Sequence, residues 1–157
     1  MRKLVLLCAS LFMTVLSMSA SPVMAQNVLW VGPNGSDSNA CSPISPCGTF
    51  QGAINKGSVS QINCLGSGFY GTVTITASIA VDCGTGNVGN IVSSSASGIT
   101  INAGSAVAIT LRHLALNGLG GNGTGIKVLA GSIISFGNNQ MSTNGTNGTF
   151  TSTTPRL

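Results

Sequence analysis

The chain has 157 residues, of which 5% are charged, 4% aromatic and 43% hydrophobic, with a formal net charge of +4. Scattered cations at this density make no electrostatic footprint for nucleic acid, so that class of partner is excluded. A surface wetted almost without ions must rely on Ser, Thr, Asn and Gly, and these residues dominate the sequence.

Residues 1–25 read as an export signal. Arg2 and Lys3 precede an apolar run from Leu4 to Leu16, and "SPVMA" ends in small residues, which places a cut after Ala25. The run is broken too soon, by Ser17, Ser19, Ser21 and Pro22, to cross a bilayer core of about 30 Å. Cys8 lies inside the run and not behind it, which disfavours lipid attachment. A secreted or periplasmic protein of bacterial type is expected, with no transmembrane segment in the mature chain. Its charges are Lys56, Arg112, Lys127 and Arg156 against Asp37 and Asp82.

The region 26–59 reads as a cap. "NVLWV" is a strand with Trp30 as its large apolar anchor, and "GPNGSDSNACSPISPCG" is a turn cluster that a Cys41–Cys47 bridge would close. "TFQGAINK" follows as a short helix, with Thr49 at its N-cap and Phe50, Ala53 and Ile54 on one face. Gly52 weakens that helix by about 1 kcal/mol relative to Ala, so packing must hold it.

From residue 60 to 150 short β-rich runs recur: 61–65, 72–76, 78–83, 90–93, 98–102, 107–118, 124–131 and 132–139. Each alternates apolar with small polar residues between Gly, Asn or Ser. An antiparallel sandwich would join longer strands by tight hairpins. A parallel coil repeating about every two dozen residues suits these short runs better. Ile62, Ile79, Ile99 and Ile126 start similar runs at intervals of 17, 20 and 27. The Asn-Gly pairs at Asn34, Asn122, Asn144 and Asn147 read as turns before they read as glycosylation acceptors. "GLGGNGTG" (118–125) lacks the Lys-Ser/Thr ending of a phosphate loop and reads as a turn. The tail 151–157 is polar and expected to be disordered.

The cysteines left after export are Cys41, Cys47, Cys64 and Cys83. An even number in an exported chain favours disulfides, with three connectivities open. A zinc site is the competitor, but no pair has knuckle spacing and His113 stands alone far downstream.

"LWVGPNGSDSNACSPISPCGTFQGAI" resembles the amino-terminal signature of secreted right-handed parallel β-helix proteins of the pectin-lyase-like superfamily, through Val31, Gly35, Asp37, Asn39, Pro46, Thr49, Ala53 and Ile54. "GFYGTVTIT" resembles that family's step into its first coil. The resemblance spans roughly residues 28–118 and implies an all-β, right-handed parallel β-helix of about four coils, plugged at its start by strand and helix. It implies a short member, with an end resembling the terminal coil of longer relatives set almost directly on an early one. If Cys64 and Cys83 occupy equivalent places on adjacent coils, strands about 4.8 Å apart allow a disulfide between them.

Many relatives cleave acidic polysaccharides, which requires carboxylates. A glycosidase needs two, about 5–9.5 Å apart, and a calcium-dependent lyase needs several. The mature chain has two, Asp37 in the capping turn and Asp82 at a strand end. Arg112, His113 and Lys127 are the candidates for surface binding, and alternation points one of Arg112 and His113 toward solvent and the other inward or along a turn. The expected protein is therefore a non-catalytic exported module that binds polysaccharide or a cell-envelope component, without cofactor or metal. The alternatives are a lyase-like or hydrolase-like enzyme and a shortened remnant without independent function. A polar tail caps the last coil poorly, so self-association through that end is also expected.

Overall fold

In a computed structural model the described residues are 27–154, apart from 85, 94–95, 119–122 and 137. Residues 1–26, which hold the expected export signal, half of the Gly-rich turn 118–125 and the last three residues of the tail lie outside them. Among the described residues the fold is all-β, with one short helix. Its elements are β1 (Val28–Val31), α1 (Phe50–Ile54), β2 (Gln61–Cys64), β3 (Gly68–Phe69), β4 (Val73–Ile75), β5 (Ile79–Asp82) and β6 (Gly89–Ser93). There follow β7 (Ser97–Asn102), β8 (Ala108–Arg112), β9 (Leu114–Gly118), β10 (Thr124–Ala130), β11 (Ser132–Ser135), β12 (Gln140–Ser142) and β13 (Ser152–Thr153).

The strands form three parallel sheets: β1-β2-β5-β8-β11-β13, β12-β9-β6-β3 and β10-β7-β4. The chain visits them in rotation, from β2 to β3 to β4 and back to the first sheet at β5, then twice more. Alternation within each strand turns one set of side chains inward. Leu29, Ile62, Val81 and Leu111 stack in one inward row of the first sheet. Ile79, Ile109 and Ile133 make a second row, and Val73, Ile99 and Ile126 line the third sheet. All are buried. Each such side chain contributes about 1.5–3 kcal/mol, and β-branched residues suit the stacked, pleated walls.

The fold departs from the sequence expectation at three places. The run 107–118 is not one strand, because His113 adopts φ +56° and turns the chain from the first sheet into the second. Ile62, Ile79, Ile99 and Ile126 are not one series. Ile62 pairs with Val81 and Ile79 with Ile109 on the first sheet, while Ile99 pairs with Ile126 on the third. The tail expected to be disordered is ordered at Ser152 and Thr153, which pair with Ile134 and Ser135. The open edge of β11 supplies the backbone partners that a frayed end lacks.

The beginning of the stack is covered. Trp30 N–H donates to the Cys41 carbonyl (2.8 Å), Cys47 N–H to that of Trp30 (2.9 Å), and Gly32 N–H to that of Cys47 (2.9 Å), so the turn cluster occupies the free edge of β1. The disulfide Cys41–Cys47, with Cα atoms 4.5 Å apart, closes this cluster. Asn39 Nδ2 ties it to the Pro46 carbonyl (2.8 Å). Helix α1 begins at Thr49, whose Oγ1 accepts from Gly52 N–H (2.9 Å). Phe50 and Ala53 are buried and Ile54 packs at the margin of the core. Phe50 lies 5.0 Å from the ring of Tyr70, and its N–H donates to the Tyr70 carbonyl (3.0 Å). Gln51 Oε1 accepts from Thr74 N–H (2.9 Å), covering β4. Trp30, expected as the apolar anchor, points the other way. Leu29 and Val31 are the buried residues of β1, and strand alternation leaves Trp30 half-buried on the outer face.

The second disulfide joins Cys64 and Cys83 across the ends of β2 and β5, with Cα atoms 4.4 Å apart. At the far end of the stack, Gly125 and Ile126 donate to the carbonyls of Thr146 (2.8 Å) and Asn147 (3.0 Å), and Lys127 to Ala130 remain exposed. Among the described residues, no helix is long and apolar enough to cross a membrane.

Candidate functional site

The outward face of the first sheet carries a row of unlike side chains held in register. Trp30 pairs with Asn63, Asn63 with Asp82 and Asp82 with Arg112. Phe136 follows next, since Ser135 is opposite Leu111, and its ring centroid lies 3.8 Å from the Arg112 guanidinium carbon. Successive positions in such a row are about 4.8 Å apart. Gln61 reinforces it from the neighbouring row, with Nε2 donating to Asn63 Oδ1 (2.7 Å).

The positive φ at His113 decides the chemistry of this row. Strict alternation would have sent His113 to the face opposite Arg112. His113 takes the turn position, the second of the two places open to it, and the turned backbone brings its ring to the same carboxylate. His113 Nδ1 lies 2.8 Å from Asp82 Oδ1, although the two residues are 31 apart in sequence. Gly84 N–H also donates to that oxygen (2.8 Å). Arg112 Nη1 stands 4.0 Å from Asp82 Oδ2, an ion pair at the limit of contact. The Arg112 side chain is 41% exposed, yet its Nε is buried without a partner among the described residues. Stacking on Phe136 holds the guanidinium while leaving its edge N–H groups for other acceptors.

Asn138 fixes the tautomer of His113. Its Oδ1 accepts the backbone N–H of His113 (3.2 Å), which turns Nδ2 toward the ring at 3.0 Å from Nε2. An amide nitrogen only donates, so Nε2 must be the unprotonated nitrogen and Nδ1 carries the hydrogen toward Asp82. Asn139 repeats the arrangement one residue on. Its Oδ1 accepts from Leu114 N–H (3.0 Å), and its Nδ2 donates to the Leu111 carbonyl (2.7 Å) and to Ser135 Oγ (2.9 Å). Both nitrogens of His113 are thus engaged, and neither is poised to take a proton from a bound molecule.

Asp37 lies in a separate cluster. Its Oδ1 accepts from Gly48 and Thr49 N–H (both 2.9 Å), its Oδ2 from Thr49 Oγ1 (2.7 Å), and Lys56 Nζ donates to its carbonyl (2.9 Å). Partial burial pushes this carboxyl up. The Thr49 hydroxyl, the Thr49 and Gly48 amides and the Lys56 charge outweigh it, holding the group below its ordinary value of 3.8. Gly35 belongs to the same knot, since a side chain there would strike the Cys47 carbonyl. Asp37, Gly35, Asn39 and Thr49 therefore build the turn over α1.

Lys127 is exposed on the third sheet, in register with Thr100 and, through it, Thr74. It does not join Arg112 and His113. Beside this row Gln51, Thr72, Thr74, Ala96, Ser97 and Thr100 line an open, uncharged groove of about 240 Å³. Among the described residues no three His, Cys, Asp or Glu side chains gather to hold a metal ion. Phe136, Asn138 and Asn63 escaped the sequence reading, because their meaning depends on which residue stands beside them in the next strand. Compared with family models, curated proteins and solved structures, the chain matches none.

Proposed function

We propose that this protein is an exported right-handed parallel β-helix module, related to the pectin-lyase-like superfamily, that binds an extended glycan without cleaving it. The observation that carries the reading is the outward row Trp30, Asn63, Asp82, Arg112 and Phe136. It has an aromatic ring at each end and hydrogen-bonding side chains between. A sugar ring presents an apolar C–H face and a rim of hydroxyls, which such a row complements. The strand spacing of about 4.8 Å is comparable with the length of one sugar unit in an extended chain. Rotation through three parallel sheets supports the β-helix, and the paired cysteines support export.

Absence of cleavage is supported by how the two carboxylates are engaged. Asp37 accepts three hydrogen bonds in the capping turn, and Asp82 accepts from His113 and Gly84. A glycan array on the mature chain tests the proposal, with Trp30→Leu and Arg112→Gln as variants and thermal unfolding as the folding control. Wild type should bind a restricted set of polysaccharides. Each variant should bind about tenfold more weakly, the loss expected for a Trp or Arg that anchors a contact surface, while still unfolding cooperatively. Binding unchanged in both variants, or release of unsaturated sugars from a bound polysaccharide, would overturn it.

A further inference from the structure

Asn138 meets His113 at two points, and only one charge state of the imidazole satisfies both. Oδ1 accepts the backbone N–H and Nδ2 donates to Nε2. A proton added at Nε2 would set N–H against N–H. Rotating the amide to offer Oδ1 to the ring would set Nδ2–H against the backbone N–H instead. Protonation therefore costs Asn138 one of its two hydrogen bonds, whichever way it turns.

The other neighbours do not share this conflict. The charged groups facing His113 are Asp82, from β5, and the adjoining Arg112, from β8. The segment after β11 brings only the neutral Asn138 and Asn139. The contact from Nδ1–H to Asp82 strengthens when the ring becomes a cation. Asn139 keeps its three partners, none of which titrates. The imidazolium would stay on Asp82 while Asn138 is displaced.

We propose that protonation of His113 releases Asn138 from the imidazole that is bound to Asp82, making this flank of the outward row of the first sheet acid-sensitive. Histidine is the side chain that changes charge between about pH 5 and 8. The latch is a property of the folded chain alone. Its consequence, weaker retention of ligand in acid, rests on the glycan-binding reading above.

The test uses the mature chain without ligand. Imidazole nitrogen NMR at about pH 8 should show His113 with its proton on Nδ1. On acidification the Asn138 side-chain amide signals should shift together with those of His113. Hydrogen exchange at the His113 amide, held by Asn138, should rise about fivefold relative to that at Leu114, held by Asn139, the factor that matches one lost hydrogen bond. Taking the ratio within one sample removes the intrinsic pH dependence of exchange. Asn138→Asp places an acceptor opposite each N–H, and in that variant the ratio should stay level or fall on acidification. A proton on Nε2 at about pH 8, or the same rise in wild type and Asn138→Asp, would overturn the proposal. Absence of glycan binding at every pH, or binding equally tight in acid, with the NMR behaviour intact, would overturn the functional consequence and leave the latch.

Discussion

Gly52 leaves the space that the carboxyl group of Asp37 occupies. A Cβ built on Gly52 would lie 2.6 Å from Asp37 Oδ2 and nearer still to the rest of the carboxyl group. The helix residue that looked weak in the sequence is the one that admits the carboxylate organising the cap.

Gly52→Ala should therefore destabilise the protein, although Ala is the better helix former by about 1 kcal/mol. Asp37 would have to leave three donors, and overpacking of this kind costs about 1–3 kcal/mol. Urea unfolding measures the difference. In an Asp37→Ala background the same change should be neutral or stabilising. An equal loss in both backgrounds would show that the carboxylate is not the reason for the glycine.

The depressed Asp37 carboxyl makes a second prediction, about acid. A group whose folded value is lowered stabilises the fold above its unfolded value and loses that contribution as pH falls through the folded value. Here the window opens near 3.8 and extends below it. The urea midpoint of wild type should fall across that window more than that of Asp37→Asn. Parallel curves for the two proteins would contradict the lowered value.

The two disulfides should differ in worth. They close loops with sequence separations of 6 and 19 residues. The chain-entropy relation gives about 2 kcal/mol for the Cys41–Cys47 bridge and about 3 kcal/mol for the Cys64–Cys83 bridge. Replacing each pair by Ser and measuring stability should reproduce that order. A larger loss at Cys41–Cys47 would mean that the bridge holds the turn cluster on the β1 edge, beyond constraining the unfolded chain.

Much of the cap was legible because its contacts are local or marked by residue type. Thr49 stands before the apolar triplet Phe50, Ala53 and Ile54, and the helix starts there. Both cysteine pairs met as expected, since one brackets a turn cluster and the other sits one circuit apart. Trp30 was misjudged because its size suggested an anchor, whereas its position in the alternation sends it outward.

The sequence by itself determined what adjacent residues can decide: short alternating strands with apolar inner faces, a capped helix, and a surface nearly free of charge. Tertiary structure alone decided which residues of successive circuits stand side by side. The circuits differ in length, and the left-handed turn at His113 splits what looked like one strand. Register between parallel strands depends on the whole intervening path, so Asp82, Arg112, His113 and Asn138 could be named singly and met only in the folded chain.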